Sequence, residues 1–476
     1  MKLRNLITIM LFLGMISINL QRTNVFVLAS EMTTLKIKSR LCSQSDKDRH
    51  GCQILAGNET KHSPLSGPYI CTSREQCYII DAFLIGYLIS QIPTGIFARR
   101  IGFKLLIGIG MLLNTISGFL IPVLSLYGNA FVIILRFLQG MGEATFIPCA
   151  HWILTNWTPP NERGRRVAIV YSGIPIGIAL ALSSSFVVTR NEILGGWPSL
   201  FYYCSTIGIL WLIGFSILVT DDPDDHNKIS SRERHDIKAK LWGRRKPQEA
   251  DIPWGSILKS APFRAVLIGY IGYYYGFVVM VIEFPKFMHE TMNYDINKHG
   301  YLAALPFGIM GIFAIMMGVM LDDLITQLQL SGSTARKIAQ AIGQFGPAIC
   351  IGAVAFSDCN LYIVLSLLTA GIGLNGSAYA GVITNLIDIS PCFAGLTIAF
   401  TNFIAQGVAY TAIVIVDAIL HINPSIFGWQ VFFMSCSAVY VLCTIIFLIY
   451  ASSKVQPWDR DFTIFSSSTY NPAQSL

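Results

Sequence analysis

Two ionisable residues stand in a stretch of chain that is otherwise apolar enough to lie in a lipid bilayer. Arg136 and Glu143 belong to the run 132–143, whose other members are mostly Val, Ile, Leu, Phe, Met and Gly. A charged side chain at bilayer depth costs roughly 2.5–3.5 kcal/mol on insertion scales, so it usually faces a cavity and serves a function. Because seven residues make two helical turns, both side chains project from one helix face. A fixed cation and a titratable carboxylate on one face predict a path for an anion that is coupled to a proton.

A second embedded arginine lies about 17 residues into the first apolar segment. This is Arg22, with Gln21 and Asn24 beside it. A guanidinium binds two oxygens of a carboxylate or phosphate and stays charged. We therefore predict that Arg22, Arg136 and Asn24 contact the anion. The alternative for Arg22 is that its long side chain reaches the membrane surface.

Three further residues are candidates for the proton and for hydrogen bonding. Glu143 could exchange an arginine partner for a proton when the anion arrives; the alternative is a permanent ion pair with Arg136, from which roughly 10 Å of helix separates it. His151 follows on the same segment and is predicted to relay protons, or else to lie at the membrane interface. Tyr273, within the run 273–275, either offers its hydroxyl to the anion or packs as an aromatic side chain.

The composition requires that these residues be positioned by a membrane scaffold. The 476 residues are 53% hydrophobic and 13% charged, against roughly 25% charged in soluble domains, and the mean hydropathy is +0.55. A spanning helix needs about 20 largely apolar residues. Twelve such segments indicate an all-α membrane protein, and they lie at 5–29, 78–98, 104–127, 130–153, 167–189, 198–219, 263–285, 299–321, 338–356, 360–384, 393–420 and 428–451.

The first segment has an alternative interpretation as a signal peptide, since Lys2 and Arg4 precede it. Its length and the presence of Arg22 favour a spanning helix. A charged, proline-containing segment then divides the chain into six spans and six spans. We predict two pseudo-symmetric six-helix halves at 1–220 and 261–455, a cytoplasmic linker at 221–260, a tail at 456–476 and an exterior loop at 31–77.

Orientation follows from the distribution of Lys and Arg. With both termini in the cytoplasm, the short cytoplasmic segments hold twelve of these residues and the short exterior loops three. The net charge of +7 therefore reflects the orientation of the chain in the membrane, and we expect no nucleic-acid partner.

The sequence lacks H-E-x-x-H and G-x-S-x-G, so we predict neither an enzyme nor a cofactor or metal site. The expected partners are the bilayer, a small anion and a coupling cation, with the chain as a monomer.

Four of the eleven cysteines lie in the predicted first exterior loop, at Cys42, Cys52, Cys71 and Cys77. Four cysteines in such a loop predict two disulfides in one of three pairings, and a zinc site is the less favoured alternative. The same loop contains the sequon Asn58-Glu59-Thr60, which predicts a glycoprotein.

Several runs together resemble the anion–cation symporters of the major facilitator superfamily. That group holds sialin, the vesicular glutamate transporters and the type I sodium–phosphate cotransporters. The runs are Gln91-Ile92-Pro93-Thr94-Gly95, Arg136-Phe137-Leu138-Gln139-Gly140 with Glu143, Trp157-Thr158-Pro159-Pro160-Asn161-Glu162-Arg163, Pro253-Trp254 with Ile257-Leu258-Lys259-Ser260, the segment 385–391, and Gly428-Trp429-Gln430.

The resemblance implies the fold of that superfamily, anion binding by Arg22 and Arg136, and proton coupling through Glu143, with His151 matching the family's following histidine. The chain also departs from the family. Tyr273 stands where vesicular glutamate transporters have an arginine, and Ile80 where they have a histidine, which argues against glutamate. Sialin has a glutamate where this chain has Gln139.

These observations predict a secondary active transporter that moves a small organic anion together with a proton by alternating access. The anion is an acidic sugar, a carboxylate or a urate-like acid. The alternatives are a sodium-coupled carrier of inorganic phosphate or organic anions, and a membrane anion sensor that does not transport. The short polar ends of the chain favour the plasma membrane over a lysosomal or vesicular one.

Overall fold

The structure is a computed structural model, and it describes residues 2–41, 73–190, 196–241, 252–290, 300–357, 360–422 and 426–459. Long helices account for most of these residues. The helices of the first half are α1 (Leu3–Leu41), α2 (Ser73–Ile101), α3 (Phe103–Leu124), α4 (Asn129–Ala144), α5 (Phe146–Trp157), α6 (Arg163–Arg190) and α7 (Trp197–Leu218). Two short helices follow, α8 (Ser231–Leu241) and α9 (Trp254–Lys259).

The second half repeats this arrangement of long helices. Its elements are α10 (Ala261–Glu290), α11 (Gly300–Gln327), α12 (Gly332–Val354), α13 (Leu361–Asn375), α14 (Val382–Ile389), α15 (Ala394–Ile422) and α16 (Ile426–Tyr450). A 3₁₀ turn, Gly376–Tyr379, connects α13 to α14. Helices α4 and α5 together form one span, as do α13 and α14, so each half contains six spans, as the hydropathy pattern predicts.

Eleven segments within the described residues are long and apolar enough to span a membrane. The predicted ninth span, 338–356, is not among them, yet it forms the 23-residue helix α12. Three buried polar side chains, Arg336, Gln340 and Gln344, make α12 more polar than the other spans. The helix packs against α13 and α16, so its polar face is covered by protein rather than by lipid.

The first segment is an integral part of the bundle. Helix α1 packs against α6 and α7, and Leu11 and Met15 are fully buried. The approach is close because α6 carries glycines: a Cβ on Gly173 would meet the side chain of Met15 and the backbone of Phe12. This packing supports a spanning helix over a leader peptide, and Gly173 and Gly177 allow the close contact between α1 and α6.

The fourth span is broken. Helix α4 ends at Ala144 and α5 begins at Phe146, and Pro148 lies four residues beyond Ala144. A proline ring clashes with the carbonyl four residues before it and supplies no N–H. Pro148 therefore accounts for the bend between α4 and α5, which lies directly after Glu143.

The first part of the linker, 221–241, packs against the bundle instead of extending into solvent. In its helix α8, the Glu233 carboxylate accepts hydrogen bonds from the backbone N–H groups of Leu3 and Arg4, at 3.0 and 3.2 Å. The Arg4 guanidinium also pairs with Asp236 at 3.3 Å. The linker helix thus covers the start of α1. We call this side of the molecule, which also holds the segment Gln456–Asp459, the terminal side.

The two halves meet through α6 with α11 and through α2 and α5 with α15. On the terminal side the junction includes Asp388, whose carboxylate pairs with Arg163 of the first half at 3.2 Å and with Arg336 of the second at 2.9 Å. All three side chains are buried. Asp388 lies in helix α14. Its carboxylate pairs with one guanidinium group from each half, so it links the two halves directly.

We expect Asp388→Asn to open the terminal side. Removing one partner of a buried ion pair costs about 3–5 kcal/mol, because the remaining charge stays buried without compensation. Ala399, which is buried and lies against Gly95 of the first half, can be replaced by cysteine as a reporter. Its labelling by a membrane-impermeant maleimide should become at least about tenfold faster with Asp388→Asn.

The matched control is Asp323→Asn, which breaks the exposed pair between Asp323 and Arg165 at 3.7 Å. Exposed pairs contribute about 0–1 kcal/mol, so this variant should label like the parent. Equal labelling rates for the Asp388 and Asp323 variants would contradict a closing role for Asp388.

Candidate functional site

Close contact between α2 and α4 positions the first arginine. A Cβ on Gly140 would collide with the backbone oxygen of Phe83, and one on Gly86 with the backbone oxygen of Phe137. At this separation the Arg136 guanidinium carbon lies 4.6 Å from the centre of the Phe83 ring. The two glycines therefore place an aromatic face against a buried cation, which is a favourable cation–π geometry.

Arg136 has a neutral hydrogen-bond partner. Its Nη1 donates to Oε1 of Gln139 at 2.7 Å, and Gln139 in turn donates from Nε2 to the Asn114 carbonyl oxygen at 3.3 Å. Arg136 is buried, and no carboxylate within the described residues forms an ion pair with it. The Gln139 amide thus orients the Arg136 guanidinium group but carries no negative charge that would neutralise it.

Glu143 pairs with the arginine of the first helix. Arg22 Nη1 lies 3.0 Å from Glu143 Oε1, while Glu143 Oε2 is buried without a hydrogen-bond partner in the described part of the chain. The alternative of a permanent pair between Glu143 and Arg136 is therefore wrong. The alternative in which Arg22 reaches the membrane surface is also wrong, because its guanidinium is held inside the bundle by Glu143 and lies 5.2 Å from the Phe83 ring centre.

Arg22 lies between two cavities. A smaller one, of about 510 Å³, is lined by Arg22 and Arg136 of the first half and by Tyr274 and Gln406 of the second. A larger one, of about 840 Å³, is lined by Arg22 and Glu143 together with mostly aromatic and aliphatic side chains, among them Tyr87, Phe146, Tyr171, Tyr270, Tyr273, Tyr274 and Phe277. Arg22 and Tyr274 border both. Arg136 lines the smaller cavity and Glu143 the larger, although both come from one helix.

Tyr273 both borders a cavity and packs against other aromatic side chains. It lines the larger cavity and also packs within an aromatic cluster, with its ring centre 5.7 Å from that of Tyr379 and 6.0 Å from that of Phe277. Its neighbour Tyr274 lies closer to the charged residues, and the Tyr274 hydroxyl interacts with the Arg22 guanidinium.

Asn24 does not line either cavity. Its side chain is fully buried, and its Oδ1 accepts a weak hydrogen bond from Cys204 Sγ at 3.7 Å. Asn24 thus faces away from both cavities in this structure, and its contact with the anion stays a prediction. Two residues along a helix correspond to a rotation of about 200°, which explains why Arg22 faces the cavities while Asn24 faces α7.

His151 is deeply buried rather than interfacial. It is 0% exposed, and its Nδ1 lies 2.6 Å from the Tyr171 hydroxyl. Tyr171 lines the larger cavity, whereas His151 does not. The histidine thus reaches the cavity through Tyr171, and its ring also interacts with the backbone of Ile383, which lines the same cavity.

Sequence reasoning missed Phe83, Tyr87, Tyr274 and Gln406. The tyrosine run contained one usable signal, since Tyr274 adjoins the predicted Tyr273. Gln406 is a polar residue within an apolar span, which is the same signal that identified Gln139. The predicted glycosylation site Asn58 and the cysteines Cys42, Cys52 and Cys71 lie outside the described residues. For Cys77 only the backbone is described, so the disulfides stay a prediction.

The fold and the two buried arginines can now be compared with known proteins. A family model described as Major Facilitator Superfamily matches residues 72–414. The chain belongs to the major facilitator superfamily. Its members are transporters rather than enzymes. A solved structure of the proton:xylose symporter XylE has the same fold, with a TM-score of 0.68, 15% sequence identity, and coverage of 96% of this chain and 98% of that one.

Similar sequences narrow the assignment within the superfamily. A Drosophila melanogaster protein named "Putative inorganic phosphate cotransporter" is 34% identical over 96% of this chain and 86% of its own length. Human sialin is 29% identical over 95% of this chain and 90% of its own length. Mouse sodium-dependent phosphate transport protein 1 is 27% identical over 81% and 82%. The resemblance to the anion:cation symporter family is therefore confirmed, and the chain is a multi-pass membrane transporter of that type.

Proposed function

We propose that this chain carries a small organic monoanion together with one proton by alternating access. The observation that carries the proposal is the position of Arg22, which pairs with Glu143 at 3.0 Å and also lines the cavity that contains Arg136. One cation is thus shared between the carboxylate that would take the proton and the cavity that would take the anion.

The charges balance for a monoanion and a single proton. Arg22 and Arg136 contribute two positive charges and ionised Glu143 one negative charge, so the empty site carries +1. An anion entering beside Arg136 attracts Arg22 away from Glu143, and Glu143 then accepts a proton. The loaded site again carries +1. The empty and the loaded carrier can therefore reorient at a similar electrostatic cost, whereas a carrier loaded with only the anion or only the proton differs from both.

The two cavities also support an organic anion. Their lining is largely aromatic and aliphatic, which suits a ligand with a carbon skeleton attached to its charged group. A sugar acid or another oxygenated carboxylate fits this description. Tyr273 remains our candidate for hydrogen bonding from the larger cavity, and His151 for proton relay through Tyr171.

A sodium-coupled phosphate carrier is the second candidate. It is supported by relatives named as a sodium-dependent phosphate transport protein and an inorganic phosphate cotransporter, and a guanidinium pair also suits phosphate. Because its cargo is small, such a carrier would have to close more tightly around the two arginines than this geometry does.

The orientation and the location complete the proposal. We infer that the terminal side faces the cytoplasm, because Lys and Arg are concentrated in the segments of that side, and that the protein works as a monomer in the plasma membrane. The glycosylated and disulfide-bonded loop would then lie outside the cell, and the linker 221–260 would join two functional halves on the cytoplasmic side.

The deciding experiment is uptake into proteoliposomes. Radiolabelled D-glucuronate and radiolabelled phosphate would each be offered under a pH gradient and, separately, under a sodium gradient. Accumulation of D-glucuronate driven by the pH gradient supports proton symport. Sodium-driven accumulation of phosphate supports the second candidate. Binding of either anion without flux under both gradients would instead indicate a sensor and overturn the proposal.

A further inference from the structure

Helix α15 of the second half presents three polar residues at four-residue spacing toward α2 of the first half. These are Asn402, Gln406 and Tyr410, which lie on one helix face. Asn402 Nδ2 donates to the Tyr87 hydroxyl at 2.8 Å, and the Tyr410 hydroxyl donates to Asp81 Oδ1 at 3.3 Å. The first and the third residues therefore make hydrogen bonds between the halves.

The middle residue makes no such bond. Gln406 is 4% exposed, and its Nε2 is buried without a hydrogen-bond partner among the residues that the structure describes. Buried amides normally have hydrogen-bond partners. The unpartnered Gln406 amide therefore marks a gap in the row of hydrogen bonds between α2 and α15. Gln406 lines the smaller cavity together with Arg22 and Arg136. The gap therefore opens onto the arginines.

The chemistry of the two sides of this cavity differs. The first half supplies both cations. From the second half, the Tyr274 hydroxyl already interacts with Arg22, which leaves the Gln406 amide as an available neutral group. A carboxylate held by the arginines would direct the rest of its molecule toward α15. An amide there can donate to an oxygen of that part and accept from its hydroxyl groups.

We propose, building on the anion-symport function above, that Gln406 binds the uncharged oxygen-bearing part of the substrate. The substrate class is then a hydroxylated carboxylate rather than a simple fatty or aromatic acid. The bound molecule completes the row of contacts between α2 and α15, because it fills the gap between the Asn402 and Tyr410 bonds. Binding of the uncharged part of the substrate thereby helps to bring the two halves together.

The test uses two probes that share a ring-bound carboxylate and differ in hydroxyl groups, namely D-glucuronate and cyclohexanecarboxylate. Affinities are measured by calorimetry on the purified full-length protein. The variant Gln406→Met keeps the length of the side chain and removes the amide, and a flexible thioether is well tolerated in an apolar interior. The matched control is Gln91→Met, since Gln91 is an equally buried glutamine of α2 that lines neither cavity.

We expect Gln406→Met to weaken D-glucuronate binding by about tenfold and to leave cyclohexanecarboxylate binding unchanged, while Gln91→Met affects neither probe. An equal loss for both probes, or no loss for either, would overturn the role of Gln406. Arg136→Ala separates this failure from failure of the anion site, because it should weaken both probes. If the parent protein binds phosphate but neither carboxylate, the inference about Gln406 falls together with the organic-anion proposal.

Discussion

Glu143→Gln is expected to abolish accumulation of the anion in response to a pH gradient while leaving anion binding and folding intact. Electroneutral symport of a monoanion with one proton converts a gradient of one pH unit into about tenfold accumulation. Glutamine cannot take up a proton, so the accumulation ratio should fall to about one. The measurement is the steady-state concentration ratio of radiolabelled D-glucuronate in proteoliposomes with a fixed internal and external pH.

The same variant makes a second, opposite prediction that separates coupling from folding. Arg22 loses its charged partner, which stands at 3.0 Å in the parent, and becomes free for the anion at every pH. Anion affinity should therefore rise and lose its pH dependence, and exchange of labelled for unlabelled anion should persist without a gradient. A Glu143→Gln protein that exchanges the anion and still accumulates it tenfold would disprove proton coupling through Glu143.

Arg136→Ala is expected to weaken anion binding by at least about 100-fold. Truncating one partner of a buried, hydrogen-bonded charge pair costs about 2–5 kcal/mol, and about 1.4 kcal/mol corresponds to a factor of ten. Arg136 is buried and has no carboxylate partner in the described part of the chain, so the anion would be its principal counter-charge. Calorimetric titration with D-glucuronate, and with phosphate in parallel, measures the loss.

Gln139→Glu provides an independent route to the same outcome with Arg136 still present. The amide oxygen of Gln139 accepts from Arg136 at 2.7 Å, so a carboxylate at that position would form an ion pair and cancel the charge that attracts the anion. We expect a loss of affinity that is smaller than that of Arg136→Ala, because the new carboxyl group can be protonated and then no longer cancels the charge. Arg136→Lys retains the charge but loses the two-pronged donor geometry and should be intermediate. Unchanged affinity in Gln139→Glu would show that net charge at Arg136 does not govern binding.

Much of this molecule could be predicted from local sequence patterns. The lengths of the apolar segments indicated twelve spans, and the buried charges Arg22, Arg136 and Glu143 stood out because each is costly in an apolar segment. Each of these inferences depends on one segment and its immediate solvent, which is information that a single sequence contains.

The partners of these residues were decided by the tertiary structure. Helical periodicity states which side chains share a face, but the rotation and separation of neighbouring helices determine what that face meets. Glu143 meets Arg22, which is 121 residues away in the chain, and the division between two cavities leaves Arg136 on the other side. The close contact of Gly86 and Gly140 with the facing backbones brings Phe83 beneath Arg136, and no local pattern announces that contact.

Asn24 and Gln406 differ in the same way. Asn24 lies two residues from Arg22 in the sequence yet faces α7, because the helix turns it away. Gln406 lies in the opposite half of the chain yet shares a cavity with both arginines. Sequence patterns by themselves determined the membrane scaffold, its family and the charges at its centre. The assignment of each charge to an anion, a proton or a structural contact came from packing between helices that are distant in the chain, because only that packing determines which buried groups find partners.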